Sequence, residues 1–286
     1  MQTAHNSEHI YPEITGLSVQ EIASITSSDP SPEERFMLNS LNCIEGLMLE
    51  KEALALFRIC KRLPNKAKIL EIGSYQGGST LAIGHAIANT DIELYCLDPW
   101  SNYFDQGDFA GFERSKISDD FRIINNFIKN TAFISDNLRM LRGKSSAFAE
   151  MLEGMEFDFI FIDGAHDYDS VRNDIKIAFS AIKPGGFLCG HDFHNHGDGV
   201  VRAVYELIVN VPSIITGLEV IEGTFIWFGI VPEPRYEYIM TDISDLMNAG
   251  LLKEALEKAE AACAEFKNAE IINYISAIKF EINRQL

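Results

Sequence analysis

Five short strand-like runs, alternating with helical segments, constrain the fold of this chain more than any other feature. They are AKILEIG (67–73), IELYCLD (92–98), LRMLRGKS (138–145), FDFIFIDG (157–164) and GGFLCGHD (185–192). Between them STLAIGHAIA (79–88), DDFRIINNFIKN (119–130), AFAEML (147–152) and SVRNDIKIAFSAI (170–182) carry apolar residues at helical spacing. Runs that are apolar continuously, rather than at every second residue, belong to strands buried on both faces. Alternating with helices, they predict an α/β domain built on a doubly wound, mostly parallel, Rossmann-like sheet.

The flanks complete the expected architecture. LEVIEG (218–223) and TFIWFGIVP (224–232) are nearly contiguous extended segments after the helical VVRAVYELIVNV, and predict an antiparallel hairpin that brings the sheet to seven strands. Residues 1–34 are polar and broken by Pro12, Pro30 and Pro32, which predicts a loose N-terminal arm with a short helix capped by Ser18 and Glu21. Helical spacing then runs from Pro32 to Leu63, and Pro64 stops it. Residues 239–284 read as two helices, with LMNAGLLKEALEKAEAA apolar at i, i+3, i+4 and i+7. The expected boundaries are an arm over 1–34, the α/β domain over 35–234 and a C-terminal helical hairpin over 235–286. The hairpin resembles one tetratricopeptide unit. One unit is too few for a solenoid, so the hairpin is expected to pack on the sheet or to join a homo-oligomer through the terminal helices.

Charge and cysteines narrow the function class. Lys plus Arg number 24 against 42 for Asp plus Glu, a net charge of −18. A field of that sign repels phosphate backbones and anionic lipid, so neither nucleic acid nor a membrane surface is an expected partner. No signal peptide and no run of about 20 apolar residues is seen. Cys43, Cys60, Cys96, Cys189 and Cys263 are odd in number and form no C-x-x-C pair. They are expected to be reduced core residues of a cytoplasmic protein, without structural zinc.

The first strand runs into ILEIGSYQGGST, a strand, a glycine loop and a helix start in twelve residues. Ligands of open α/β sheets bind at carboxyl ends of strands, near the switch point. Gly73 lets the chain turn there, while Gly77 and Gly78 let backbone approach a ligand. The spacing E-x-G-x-x-x-G-G-S is neither the dinucleotide G-x-G-x-x-G nor a P-loop. Glu71 repels a pyrophosphate and suits a cationic nucleoside cofactor. Asp98, closing the second strand, is placed to accept ribose hydroxyls.

The ordered set EIGSYQGGS, LDPW, GKS, FIDGAHDY and KPGGFLCGHDF resembles the class I S-adenosylmethionine-dependent methyltransferases. More narrowly, it is similar to the small-molecule O-methyltransferases of the catechol and macrolide-sugar type, over residues 45 to 232. The resemblance implies that Glu71 faces the methionine part of the cofactor, with Gly73, Ser74 and Tyr75 forming the turn. It implies that Ser79 holds the carboxylate end at a helix N-terminus, that Asp98 binds the ribose, and that Gly143 and Ser145 contact adenine. Trp100 is expected to stack on that adenine.

In the resembled enzymes a divalent ion is held by an acid after the fourth strand and two residues after the fifth. Here these are Asp163, which also lines the cofactor site, with His191 and Asp192. The general base three residues on from the first ligand is His166, whose side chain titrates near neutrality. His191 departs from the oxygen-only pattern, so manganese or iron suits the site better than magnesium. Alternatively no metal is bound and His191 is itself a base or a substrate contact. His194 and His196 are expected to face solvent in a loop, Asp169 to cap the helix at Ser170, and Tyr103, Phe104, Phe109 and Phe112 to form a lid. The implied function is methylation of a hydroxyl on a small molecule such as a sugar or natural-product intermediate. N-methylation, a non-catalytic cofactor-binding or assembly module, and an oxygenase component resembling the cephalosporin hydroxylase are the alternatives.

Overall fold

The computed structural model describes residues 17–46, 48–100, 121–194, 198–209, 215–231, 243–266 and 269–285. The five predicted runs become β1 (Lys68–Ile72), β2 (Glu93–Asp98), β3 (Leu138–Arg142), β4 (Phe157–Ile162) and β5 (Ile182–Gly190). The hairpin supplies β6 (Thr216–Val220) and β7 (Trp227–Ile230). All seven form one sheet in the order β3-β2-β1-β4-β5-β7-β6. The first five are parallel, and β7 runs antiparallel to both β5 and β6. Strand order reverses between β1 and β4, so the switch point lies where the glycine loop leaves the sheet.

Continuous apolarity is explained by a core on each face. Phe159, Phe161, Phe187 and Phe228 enter one cluster, while Ile160, Ile162, Leu188 and Trp227 enter the other. Phe159, Phe187 and Phe228 stack across three strands, with ring centroids 5.7 and 5.4 Å apart. Each such fully buried ring stabilises the fold by roughly 1.5–3 kcal/mol. The connecting helices are α4 (Gly78–Ile87), α5 (Arg122–Thr131), α6 (Ala149–Leu152), α7 (Tyr168–Ala181) and α8 (Asp198–Val204).

Preceding the sheet are α1 (Val19–Ala23), α2 (Pro32–Leu41) and α3 (Glu50–Cys60). The single helical stretch expected from Pro32 to Leu63 is two helices, the first ending at Leu41 and the second starting at Glu50. Ser18–Glu21 does form the expected capping box. From Leu17 onward, however, the segment expected to be a loose arm is packed down: Leu17 and Ile22 share a core with Met37 and Leu38 of α2 and with β1. Arg58 of α3 fastens it, donating to both Glu34 oxygens and to the carbonyl of Ile25. That guanidinium holds the Glu34 carboxyl down at about 2.

The C-terminal hairpin consists of α9 (Leu252–Phe266) and α10 (Ala269–Gln285). It has a core of its own around Ile243, Ala255, Ala259 and Ile278. No helix among the described residues is long and apolar enough to cross a membrane. The expected lid residues Tyr103, Phe104, Phe109 and Phe112, and His196, lie outside the described residues.

Candidate active site

Four predicted residues stand one position beyond a strand, each held by a last backbone bond to a neighbouring strand. Gly73 donates to Leu97 O (2.8 Å), Gly143 to Asp98 O (3.0 Å), Asp163 to Ile72 O (2.7 Å) and His191 to Ile162 O (2.9 Å). The parallel ladder thus sets them side by side along the carboxyl edge of the sheet. Three non-glycine residues on this edge have positive φ: Tyr75 (44°), Trp100 (42°) and Asp192 (59°). Such conformations cost on the order of 1–3 kcal/mol each and cluster at functional sites.

The glycine loop is braced from two sides. Asp98 Oδ2 accepts from the backbone N–H of Ser74 (3.0 Å) and Tyr75 (2.9 Å), and Oδ1 from that of Trp100 (2.5 Å). Burial pushes the Asp98 carboxyl up, and the three N–H groups of Tyr75, Trp100 and Ser74 oppose it. A carboxylate has about four acceptor sites, so one stays available for a ligand hydroxyl. Glu71, expected to face the cofactor, is fully enclosed beneath the loop. Its Oε2 accepts from Ser74 Oγ (2.6 Å), Thr80 Oγ1 (2.5 Å) and Cys96 Sγ (3.3 Å). Its other oxygen, Oε1, is buried without an aligned partner. Burial raises the Glu71 pKa, against the hydroxyls of Ser74, Ser79 and Thr80. Ser79 lies buried in the first turn of α4, whose N-cap, Gly77, supplies no side-chain bond.

Trp100 corrects an expectation. It is not an open stacking face: it is wholly buried, 4.7 Å from the Phe127 ring, and its indole N–H donates to Tyr75 O. The ring therefore supports the loop from behind.

After β3, Ser145 hydrogen-bonds to Asp174 of α7, a residue unforeseen in the sequence. Burial pushes the Asp174 carboxyl up to about 6, only partly opposed by Ser145. An acid whose folded pKa lies above its unfolded value binds protons more tightly when folded. Stability attributable to it is therefore greatest below about pH 4 and falls as pH rises to about 6. Asp174→Asn is expected to remove that fall and to stabilise the protein at pH 7.5 by roughly 2–3 kcal/mol. Thermal unfolding of both proteins at pH 4 and 7.5 checks this. A variant no more stable than wild type at pH 7.5 contradicts it.

The ends of β4 and β5 carry the titratable cluster. His191 Nδ1 lies 3.2 Å from Asp192 Oδ2 and 3.6 Å from Asp163 Oδ1, while its Nε2 lies 3.0 Å from Glu52 Oε1. That last contact is close enough for an ion pair although not aligned as a hydrogen bond. His166 Nε2 is 2.9 Å from Asp192 Oδ2. Burial alone lowers the His191 pKa, but Asp163, Asp192 and Glu52 more than offset it and push it to about 11. Burial raises Asp163; for Asp192 the same penalty is outweighed by His166 and His191, which hold it far below the usual carboxylate range. Val171, Val200 and Trp227 wall the small cavity beside these groups.

Asp163, His191 and Asp192 form a group of metal-ligand type. Donors bound to one ion at about 2.1 Å can be at most about 4.2 Å apart. Both His191–carboxylate distances meet that limit, and all three donor atoms lie within 4.8 Å of one another, so a small closure would bring one imidazole and two carboxylates onto a divalent ion.

Two further expectations change. His194, expected to face solvent, packs against Phe225 at 4.7 Å and approaches Asp192 to 3.4 Å. The cap of α7 is Asp167, which accepts from Ser170 N, rather than Asp169. Glu52 was not foreseen either. Its signal was present, since Glu52, Leu56, Ile59 and Leu63 fall on one helical stripe whose other members are apolar. Asp174 sits likewise between Val171 and Ala178. A carboxylate on a buried stripe has to be paired inside the protein.

Residues 70–193 match the family model described as "Methyltransferase domain". A solved SAH-bound methyltransferase from Podospora anserina is similar in fold at 14% identity and a TM-score of 0.51, covering 75% of this chain and 94% of that one. An O-methyltransferase from Bacillus cereus in complex with SAH is 18% identical over 72% and 92% of the two chains, with a TM-score of 0.48. No curated protein matches the chain. Residues 70–193 thus match a methyltransferase-domain model, and the chain shares its fold with the SAH-bound Podospora anserina methyltransferase.

Proposed function

We propose that the protein transfers a methyl group from S-adenosylmethionine to a hydroxyl of a small molecule, with a divalent ion assisting. The observation that carries this is the meeting, on one sheet edge, of a braced glycine loop with the His166–Asp192–His191–Asp163 cluster. When bound, S-adenosylmethionine supplies a methyl carbon already activated by its sulfonium. Asp98 would hold the ribose with its remaining acceptor site, and the α4 N-terminus at Ser79 the carboxylate. Gly143 and Ser145 line the adenine side.

The acceptor hydroxyl has to lose its proton as its oxygen bonds to the methyl carbon. His166 would take it, and Asp192, 2.9 Å from its Nε2, would stabilise the resulting imidazolium. Asp163, His191 and Asp192 would hold the ion, whose charge lowers the pKa of an alcohol that is otherwise poorly acidic. The proposed acceptor is a sugar or natural-product hydroxyl, presented beside the small cavity that Val171, Val200 and Trp227 wall.

Calorimetric titration with S-adenosylmethionine and S-adenosylhomocysteine, before and after chelation, tests the reading. Micromolar binding to wild type, lost in Asp98→Ala, is expected. Absence of binding to folded wild-type protein under every metal condition would overturn it.

A further inference from the structure

Glu52 lies on α3, which contributes nothing else to the cluster, yet it is completely buried against His191. Its carboxylate is fixed by three contacts. Oε2 accepts from Leu49 N at 2.9 Å, closing the N-terminal turn of α3. Oε1 accepts from Phe225 N at 3.1 Å and lies 3.0 Å from His191 Nε2. Capping the helix uses only Oε2 and needs no histidine. The second oxygen joins the turn between β6 and β7 to the end of β5, and the Phe225 ring stands edge-on to the imidazole at 6.4 Å.

The two faces of the imidazole are thereby assigned different work. Nδ1 looks toward Asp163 and Asp192, and Nε2 toward Glu52. A histidine that binds a metal through one nitrogen commonly donates its other N–H to a carboxylate, which fixes the tautomer and the ring orientation. We infer that Glu52 is a positioning residue for the metal centre: it holds one proton of His191 on Nε2, so that Nδ1, with Asp163 and Asp192, is the nitrogen given up to a divalent ion. This rests on the metal-assisted reading above. It also explains how a histidine serves at a position where the resembled enzymes have an oxygen donor: an added carboxylate from α3 supports it from behind.

Glu52→Gln is nearly isosteric and can still accept from Leu49 N at the Oε2 position, which leaves its amide nitrogen at the Oε1 position. Toward His191, however, its amide group donates, which favours the opposite tautomer. In chelated, full-length protein titrated with manganese or zinc alone, Glu52→Gln is expected to weaken binding 10–100-fold. S-adenosylmethionine affinity should stay within about threefold. A merely structural role would lower the melting temperature and leave metal affinity unchanged. Nitrogen-15 spectra of the zinc-loaded wild type give a second readout that no variant's folding can spoil: His191 should carry its proton on Nε2 and the metal on Nδ1. Equal metal affinity in wild type and Glu52→Gln, or zinc on Nε2, overturns the inference and leaves metal assistance standing. Failure of wild-type protein to bind either ion overturns both.

Discussion

Gly73→Ala is expected to abolish cofactor binding and to leave little folded protein. Gly73 has φ +91°, and a Cβ there would lie 2.0 Å from Asp163 O, 2.4 Å from Asp163 C and 2.6 Å from Gly164 N. These are backbone atoms at the end of β4, with no flexible tip that can swing aside. Relief requires β1 and β4 to separate at the switch point, which breaks the Asp163 N–Ile72 O bond at 2.7 Å and displaces Asp163. Steric strain and lost ladder bonds together exceed about 4 kcal/mol, a large part of a domain's total stability. Gly154→Ala is the control: its φ is also positive, at 70°, but nothing lies within 4 Å of the added carbon. It should cost only the backbone penalty of about 1–2 kcal/mol. Thermal unfolding and S-adenosylmethionine titration of the two variants give the comparison. A Gly73→Ala protein that melts and binds like Gly154→Ala would show that the strand ends are not held as tightly as described.

Much of this edge was legible because parallel strands buried on both faces announce themselves by composition. Once β1, β4 and β5 are placed in order, the residue after each strand falls on one edge with no further information. That is why Gly73, Asp163 and His191 come together although 118 positions of sequence separate the first from the last. The residues that were misread, or missed, are those whose meaning depends on long-range packing. Trp100 follows a strand, as a ligand contact does, but its neighbour Phe127 comes from α5 and turns it into a support. His194 looks like loop until Phe225 closes over it from the β6–β7 turn. Glu52 and Asp174 read as ordinary helix charges, and only their place on a buried stripe betrays them. Helix ends behaved the same way: the helix starts two residues earlier than its pattern suggests, which moves the cap from Asp169 to Asp167.

His166→Gln is the most informative change for chemistry, because it removes the proposed base and little else. Gln retains a hydrogen-bonding group that can reach Asp192, at the position where His166 Nε2 stands 2.9 Å from Oδ2. Nothing in the bracing of the glycine loop passes through residue 166: that bracing is carried by Asp98, Trp100 and Glu71. S-adenosylmethionine affinity should therefore be unchanged while methyl transfer to a hydroxyl acceptor slows about 10²–10⁴-fold, the usual contribution of a positioned base. The pH profile separates this from a general disturbance of the site. Wild-type kcat should rise through an ionisation that the variant lacks. In the variant the residual rate should rise with hydroxide, as the acceptor's own ionisation takes over. Single-turnover measurements across pH 5 to 9, on whichever hydroxyl acceptor is turned over, provide both quantities. A full rate in His166→Gln would move the base elsewhere in the cluster, or leave the ion held by Asp163, His191 and Asp192 to activate the hydroxyl alone. A parallel loss of cofactor affinity would instead make His166 a binding residue.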